Sequence, residues 1–322
     1  MNALKIHFRR PYLLFVISAS IFISCGHSIQ RQSEQVPEAV PIFEFHILHV
    51  IGPEIKGTVN LSSPVDVAFD VDGNIFICDN GNNRIVKLSP DFGYVREVGG
   101  FGSGNEQLSD PVAITSDNGL TLMVADSQLR QVKRFDRNLN FIDSFFEYKS
   151  GQGVLANVGR PAGIFISRRG DIYISDTDNN RVMVLDGFYN LQTELGGFGF
   201  GYGELSGPRG LVTGTTDNLF VADMRNHRIS VYNNLGEYQG DFGSDRLRSP
   251  VDISIDSHGY LYISDEELHS VMVFSSSGRY MTDSMEHGLA FGEPAGLQFS
   301  PSGNLCIADR DRNQILILET MR

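Results

Sequence analysis

Residues 64–88 read PVDVAFDVDGNIFICDNGNNRIVKL, in which runs rich in Val, Ile and Phe are separated by clusters of Gly, Asp and Asn. Such runs are typical of strands, and such clusters are typical of tight turns. The pattern recurs in five further segments. They begin at Pro111, Pro161, Pro208, Pro250 and Pro294, and they read PVAITSDNGLTLMVADSQLRQVKRF, PAGIFISRRGDIYISDTDNNRVMVL, PRGLVTGTTDNLFVADMRNHRISVY, PVDISIDSHGYLYISDEELHSVMVF and PAGLQFSPSGNLCIADRDRNQILIL.

The six opening prolines are separated by 47, 50, 47, 42 and 44 residues. Each unit has room for four short strands, and none of the units sustains a helical period. A repeat of this length with four strands predicts the blade of a β-propeller. We therefore expect an all-β protein with six four-stranded antiparallel blades.

The two ends of the repeat array predict how the ring closes. The last unit stops after ILILET, residues 315–320, and has no fourth strand. Residues 42–52, IFEFHILHVIG, precede the first unit and have the pattern of an outer strand. We expect this N-terminal strand to complete the sixth blade, which removes an exposed sheet edge.

The units share an opening P-x-G-[ILV], a middle G-N-[IL]-[FY]-[IV]-x-D and a later N-[NH]-R-[IV]-x-V. In this pattern they resemble the NHL repeat family, most closely at DTDNNRVMV, residues 176–184, and DMRNHRISV, residues 223–231. The resemblance covers residues 42–319. It implies a propeller, but it leaves function open among ligand sensors, protein or RNA binders, lactonase-like enzymes and amidating lyases.

The N-terminus has the pattern of an export signal. Lys5, Arg9 and Arg10 precede the apolar run PYLLFVISASIFIS, which has the length of a secretory signal and is too short to span a bilayer. The run ends at FISC, which resembles the lipobox of bacterial lipoproteins and implies lipidation of Cys25. Ordinary signal cleavage and a signal-anchor are the alternatives. We expect a signal peptide at residues 1–24, a flexible tether at 25–41 and the propeller at 42–322.

The net charge of the protein and its predicted location restrict the partners that it can bind. The formal charge is −13 for the whole chain. Without residues 1–24, which hold three basic and no acidic residues, it is −16. Such a surface repels nucleic acid, so we expect no nucleic-acid partner. The predicted location is the bacterial cell envelope, with the protein lipid-anchored outside the cytoplasmic membrane, in the periplasm or at the outer membrane.

A column of aspartates closes the second strand of every unit and favours a structural role in the hairpin. A carboxylate there can accept N–H groups of the turn. Three arginines follow five residues later, where each can pair with the carboxylate of its own unit. The aspartates are Asp79, Asp126, Asp176, Asp223, Asp265 and Asp309, and the arginines are Arg84, Arg181 and Arg228.

The position two residues after each opening proline is where the inner strand enters the central channel. This column reads Asp66, Ala113, Gly163, Gly210, Asp252 and Gly296. The two aspartates break a row of small residues, and Arg209 and Arg160 lie nearby in sequence. We expect these four residues to form a polar binding site at the channel mouth, with Tyr202, His227 and Phe200 as rim contacts.

The expected ligand is a protein, a peptide or a small molecule, bound without catalysis. Asp66 and Asp252 could also hold a divalent cation such as Ca²⁺, which leaves a lactonase- or lyase-like metal enzyme as the alternative. No histidine falls in the channel column, which disfavours a zinc site. The glycine-rich stretch GGFGFGYGELSGP, residues 196–208, is followed by a strand pattern rather than a helix. It therefore predicts a connector between blades rather than a phosphate loop. Cys78 and Cys306 are expected to be buried free thiols.

Overall fold

The computed structural model describes residues 43–52, 54–55, 59–117, 120–146 and 158–321. The predicted signal peptide, the tether and Cys25 lie outside these ranges. The described part of the chain is built of strands joined by turns and a few short 3₁₀ segments, which confirms the expected all-β class. Within it, no helix is both long enough and apolar enough to cross a membrane.

The first strand is β1, Glu44–Ile51, and a small two-stranded sheet follows it, formed by β2, Glu54–Ile55, and β3, Val59–Asn60. The next twenty-three strands run in chain order through six sheets. Blade 1 contains β4–β7: Pro64–Phe69, Ile75–Asp79, Arg84–Leu88 and Tyr94–Gly99. Blade 2 contains β8–β11: Pro111–Asp117, Thr121–Asp126, Gln131–Asp136 and Phe141–Phe145. Blade 3 contains β12–β15: Pro161–Ile166, Ile172–Asp176, Arg181–Leu185 and Leu191–Gly196.

The remaining blades follow the same order from the inner to the outer strand. Blade 4 contains β16–β19: Pro208–Thr213, Leu219–Asp223, Arg228–Tyr232 and Tyr238–Phe242. Blade 5 contains β20–β23: Pro250–Ile255, Leu261–Asp265, Ser270–Phe274 and Tyr280–Asp283. Blade 6 contains β24–β26, Pro294–Phe299, Leu305–Asp309 and Gln314–Met321, together with β1. Among the described residues, 3₁₀ segments lie at Asn80–Asn82, Met224–Asn226 and Ser284–His287.

The ring closes as predicted. Strand β1 pairs antiparallel with β26, from Glu44 opposite Met321 to Ile51 opposite Ile315, with a register shift after Ile47. The inner strands lie side by side in the order β4, β8, β12, β16, β20 and β24, and β24 returns to β4. The first and last segments of the propeller therefore share one sheet.

The hydrophobic core is divided among the six junctions between neighbouring blades. One buried cluster occupies each junction, and each cluster combines residues of two consecutive blades. Cys306 lies between blades 6 and 1, and Cys78 lies between blades 1 and 2. Both are buried free thiols, as expected. Apolar residues on both faces of a strand therefore serve two different junctions, which is why the strands show few polar positions.

Candidate functional site

The face on which the inner strands begin is built in the same way in all six blades. A backbone N–H of the turn after the second strand donates to a carbonyl of the segment that precedes the inner strand. Examples are Gly81 N to Ser62 O at 2.9 Å and Arg310 N to Glu293 O at 2.9 Å. The connectors and these turns therefore surround the central channel on one side, which we call the channel-mouth face.

The aspartate column lies beneath this face and holds the turns and connectors together. All six carboxylates are buried, and each accepts backbone N–H groups from the connector before its blade. For example, Ser62 N lies 2.7 Å from Asp79 Oδ1, and Ser206 N lies 2.7 Å from Asp223 Oδ1. These bonds tie each hairpin turn to the connector before its blade. Asp126, Asp176, Asp265 and Asp309 make the equivalent bonds.

The three column arginines pair with the carboxylates of their own blades. Arg84 Nε lies 2.8 Å from Asp79, and Arg228 Nε lies 2.9 Å from Asp223. Arg181 lies 3.2 Å from Asp176. Each arginine also binds an acidic residue of the outer strand. These arginines are thus engaged in structural ion pairs beside the channel-mouth face.

A cavity of about 180 Å³ occupies the channel. Its wall contains Asp66, Arg209 and Asp252, so the structure brings together three of the predicted binding residues. The rest of the wall is largely apolar and is contributed by the inner strands of all six blades. These apolar residues include Val65, Val112, Ile114, Phe165, Leu211, Val251 and Leu297.

The two channel aspartates connect blades as well as lining the cavity. Asp66 accepts a hydrogen bond from the N–H of Ile114 in blade 2 at 2.8 Å, and Asp252 accepts one from the N–H of Leu297 in blade 6 at 2.9 Å. On the other side of each aspartate stands a column glycine. A Cβ at Gly210 would lie 2.5 Å from Cα of Asp252, and one at Gly296 would lie 2.6 Å from Cα of Asp66. Glycine is therefore required where the inner strands approach most closely.

Burial is the main influence on the pKa values of these two carboxyl groups. It raises the pKa of Asp252 from 3.8 to about 7, against the opposing effect of the N–H groups of Leu297 and Ile253. The pKa of Asp66 is raised well above 3.8, first by burial and then by the charge of Asp252. With a pKa of about 7, the carboxyl group of Asp252 can take up and release a proton near neutral pH.

Arg209 is the charged residue of the channel wall that lacks an acidic partner. Its Nε is buried and has no hydrogen-bond partner among the described residues. Burial lowers the pKa of Arg209, Glu266 raises it, and the neighbouring Arg310, Arg225 and Arg160 lower it further. A guanidinium remains charged under these conditions, so Arg209 places a positive charge without an ion pair in the cavity wall.

Arg160, predicted as part of the polar site, and the predicted rim contacts lie outside the cavity wall. Arg160 binds Asp178 at 2.8 Å, and Tyr202 is exposed and packs edge-on against Tyr238, with ring centroids 5.5 Å apart. His227 has a left-handed backbone with φ of 56°, and its Nδ1 contacts the carbonyl of Arg248 at the next blade. His227 thus connects two blades in the structure.

Phe200, also expected at the rim, lies in the glycine-rich connector and is exposed together with Phe198. The connector runs from β15 to β16, and positive φ values at Gly197 and Gly199, 125° and 159°, allow its path. Its glycines therefore serve the crossing between blades, as predicted.

Some polar residues of the cavity wall were not predicted from the sequence. Asn80 donates to Asp110 at 2.8 Å, and Arg310 binds Glu293 at 2.8 Å and Glu266 at 3.3 Å. Asn80 and Arg310 each follow directly after a column aspartate, and Asp110 precedes an opening proline. The signal was available in these positions, but it requires knowing that they face the channel.

A resident metal fits the described residues poorly. Both oxygens of Asp66 already accept backbone N–H groups, from Val67 at 2.7 Å and from Ile114 at 2.8 Å. Over the described ranges, no group of three or more His, Cys, Asp or Glu side chains is placed to hold a metal ion. Calcium prefers six to eight oxygen ligands. We therefore derive no chemical step through a bound cation.

Comparison with known proteins identifies two of the repeats. Residues 61–88 and 205–232 match the family model of the NHL repeat. A relative from Arabidopsis thaliana, the chloroplastic protein SUPPRESSOR OF QUENCHING 1, is 27% identical over 207 residues, which cover 54% of this chain and 20% of that protein. The chain spans less than a third of the length of the curated relatives it matches.

Solved propellers have the same fold at low sequence identity. A streptogramin B lyase superposes with a TM-score of 0.62 at 14% identity, covering 86% of this chain and 98% of the other. A gluconolactonase from Xanthomonas campestris gives 0.62 at 14% identity, covering 86% and 95%. The fold and the channel define a six-bladed β-propeller. The repeat matches and the six blades together support the NHL-repeat propeller family.

Proposed function

We propose that this protein is an exported propeller, lipid-anchored through Cys25 in the bacterial cell envelope, whose channel mouth binds a protein, peptide or small-molecule ligand without catalysis. Export and anchoring rest on the basic residues, apolar run and lipobox-like FISC of the N-terminus. NHL propellers commonly mediate protein interactions, which is compatible with a binding role.

The observation that carries the binding proposal is the half-buried Arg209 in the wall of the channel, whose buried Nε has no hydrogen-bond partner among the described residues. A buried charge without a partner is costly, and a ligand that supplies the partner recovers part of that cost. The surrounding apolar wall can bury the body of the same ligand.

Native mass spectrometry of the protein purified from membranes tests the binding site. We expect a bound mass on the wild type, and its loss in Arg209→Met. Arg168→Met is the matched control, because Arg168 is an exposed arginine in the hairpin between β12 and β13, away from the channel wall. A mass retained in Arg209→Met, or no bound mass on the wild type, contradicts the site.

Fractionation tests the anchor separately. Cys25→Ser should remove the lipid and shift the protein from the membrane fraction to the soluble fraction, since Cys25 is the proposed acylation site. Membrane association that survives this substitution would contradict lipid anchoring at Cys25 and favour a signal-anchor.

The second candidate is a divalent-metal enzyme of lactonase or lyase type, with Asp66 and Asp252 at its centre. The pKa of Asp252, which burial raises to about 7, supports this candidate, since a carboxyl group with that pKa can move a proton near neutral pH. Elemental analysis of the purified protein decides between the two. A stoichiometric metal whose removal lowers the melting temperature supports the enzyme, and its absence supports the non-catalytic binder.

A further inference from the structure

Blade 4 presents two arginines without acidic partners at the channel mouth. Arg209 lies in the channel wall, and Arg225 lies in the exposed turn Met224–Asn226 of the same blade. Among the described residues, neither side chain forms an ion pair and Arg209 Nε has no hydrogen-bond partner, and the charge of Arg225 lowers the pKa of Arg209. The stem of Arg225 lies beside Gly207, where a Cβ would come within 3.1 Å of it.

The other charged groups nearby are already paired. Arg310 binds Glu293 and Glu266, and Glu266 also accepts a hydrogen bond from Ser249 at 2.9 Å. Arg160 binds Asp178. In the channel wall, the positive charge without an ion pair among the described residues is that of Arg209, and an anion is the partner that would compensate it.

The chemistry of the rest of the cavity restricts the anion. Asp66 and Asp252 share the cavity wall with Arg209, and in their ionised form they repel an anion of high charge. A planar guanidinium matches the planar carboxylate in a bidentate arrangement. The apolar wall residues, such as Val112 and Leu211, favour an organic body over a bare inorganic ion.

We propose that Arg209 and Arg225 bind the carboxylate of a small organic acid whose apolar body lies in the channel against the inner strands. This rests on the proposed function of the channel mouth as a binding site, and it names the chemical class of its ligand. Arg209 makes the buried contact, and Arg225 adds charge from the rim.

Isothermal titration of the purified lipid-anchored protein in detergent tests the class. The probes are acetate, isovalerate and 3-phenylpropanoate, with isovaleramide and inorganic phosphate for comparison. We expect isovalerate or 3-phenylpropanoate to bind more tightly than acetate, because each adds apolar surface. Isovaleramide and phosphate should bind at least roughly tenfold more weakly than isovalerate, because one lacks the charge and the other carries too much.

Two variants and a control test whether Arg209 and Arg225 contact the carboxylate of the ligand. Arg209→Met should weaken isovalerate binding by roughly tenfold or more, and Arg225→Met by roughly threefold, since its charge is exposed. Arg168→Met should bind like the wild type. Arg225→Met keeps the test valid if Arg209→Met unfolds, because the Arg225 side chain is on the surface.

Three results overturn the inference: no acid binds, the amide binds as well as the acid, or binding is unchanged in both arginine variants. Stronger binding of phosphate than of every acid overturns it as well. Each of these results leaves the proposed function standing if native mass spectrometry still finds a ligand that depends on Arg209. The failure of the ligand class and the failure of the site are therefore distinguishable.

Discussion

Substituting Asp252 by Asn should change how the stability of the propeller depends on pH. The pKa of this carboxyl rises from 3.8 to about 7 on folding, so the folded state holds the proton more tightly than the unfolded state does. Its contribution to stability is therefore fully present below pH 4 and is lost as the pH rises through 7. The shift corresponds to at most about 4 kcal/mol over the whole pH range.

The introduced asparagine cannot lose a proton, yet its side-chain oxygen can still accept the N–H of Leu297. Between pH 5 and pH 8, the free energy of unfolding of Asp252→Asn should therefore rise relative to that of the wild type by about 2–3 kcal/mol. Removing this charge also lessens the repulsion felt by Asp66, which flattens the profile further.

Urea denaturation at pH 5, 6, 7 and 8 measures this difference directly. Asp245→Asn is the matched control, because Asp245 is 82% exposed and lies outside the channel wall. Its profile should run parallel to that of the wild type. Parallel profiles for Asp252→Asn and the wild type would refute the claim that burial in the channel raises the pKa of Asp252.

Further substitutions test the contacts between blades. Gly210→Ala should lower the free energy of unfolding by about 1–3 kcal/mol in thermal or urea denaturation, because its Cβ would meet the backbone of Asp252. Gly52→Ala is the control and should cost far less, because a Cβ at Gly52 would point into open space. Equal losses in the two variants would argue against close contact at the channel. His227→Ala should lower the free energy of unfolding by about 1 kcal/mol, because the bond to Arg248 is lost. His227→Asn should recover most of this loss, because Asn tolerates positive φ. An alanine variant as stable as the wild type would contradict the contact between blades at His227.

The blades were predictable because the chemistry that makes a blade is local. Alternating apolar residues, the turn clusters and the aspartate column repeat within each unit, so they identify strands and hairpins without knowledge of the ring. Closure was predictable for a related reason. The unpaired apolar strand around Ile47 and the missing fourth strand after Leu318 complement each other.

The bonds between blades were harder to predict because they join positions far apart in sequence. Asn180 accepts the N–H of Gly207, Asn313 accepts the N–H of Ser63, and His269 reaches Gly292, all from equivalent positions in different blades. The sequence marks this column only as part of a turn. The structure adds that its side chains span the junction between blades.

The channel site was predictable in part. Asp66 and Asp252 break a column of small residues, and Arg209 is a charged residue beside that column, so all three could be selected by position. The different environments of these three side chains could not be predicted from the sequence. The carboxyl groups accept N–H groups of neighbouring blades, while Arg209 Nε has no partner among the described residues, and only the packing of the inner strands distinguishes these outcomes.

Every position in the channel depends on β1 sealing the ring, and deletion of residues 43–52 followed by hydrogen exchange tests this most directly. The deletion removes Phe43 and Ile51 from the two junctions of blade 6 and uncovers β26. The account predicts a lower melting temperature, with amide protection falling in β4 and β20 as well as in β26. A wild-type melting temperature, with protection lost in β26 alone, would contradict it.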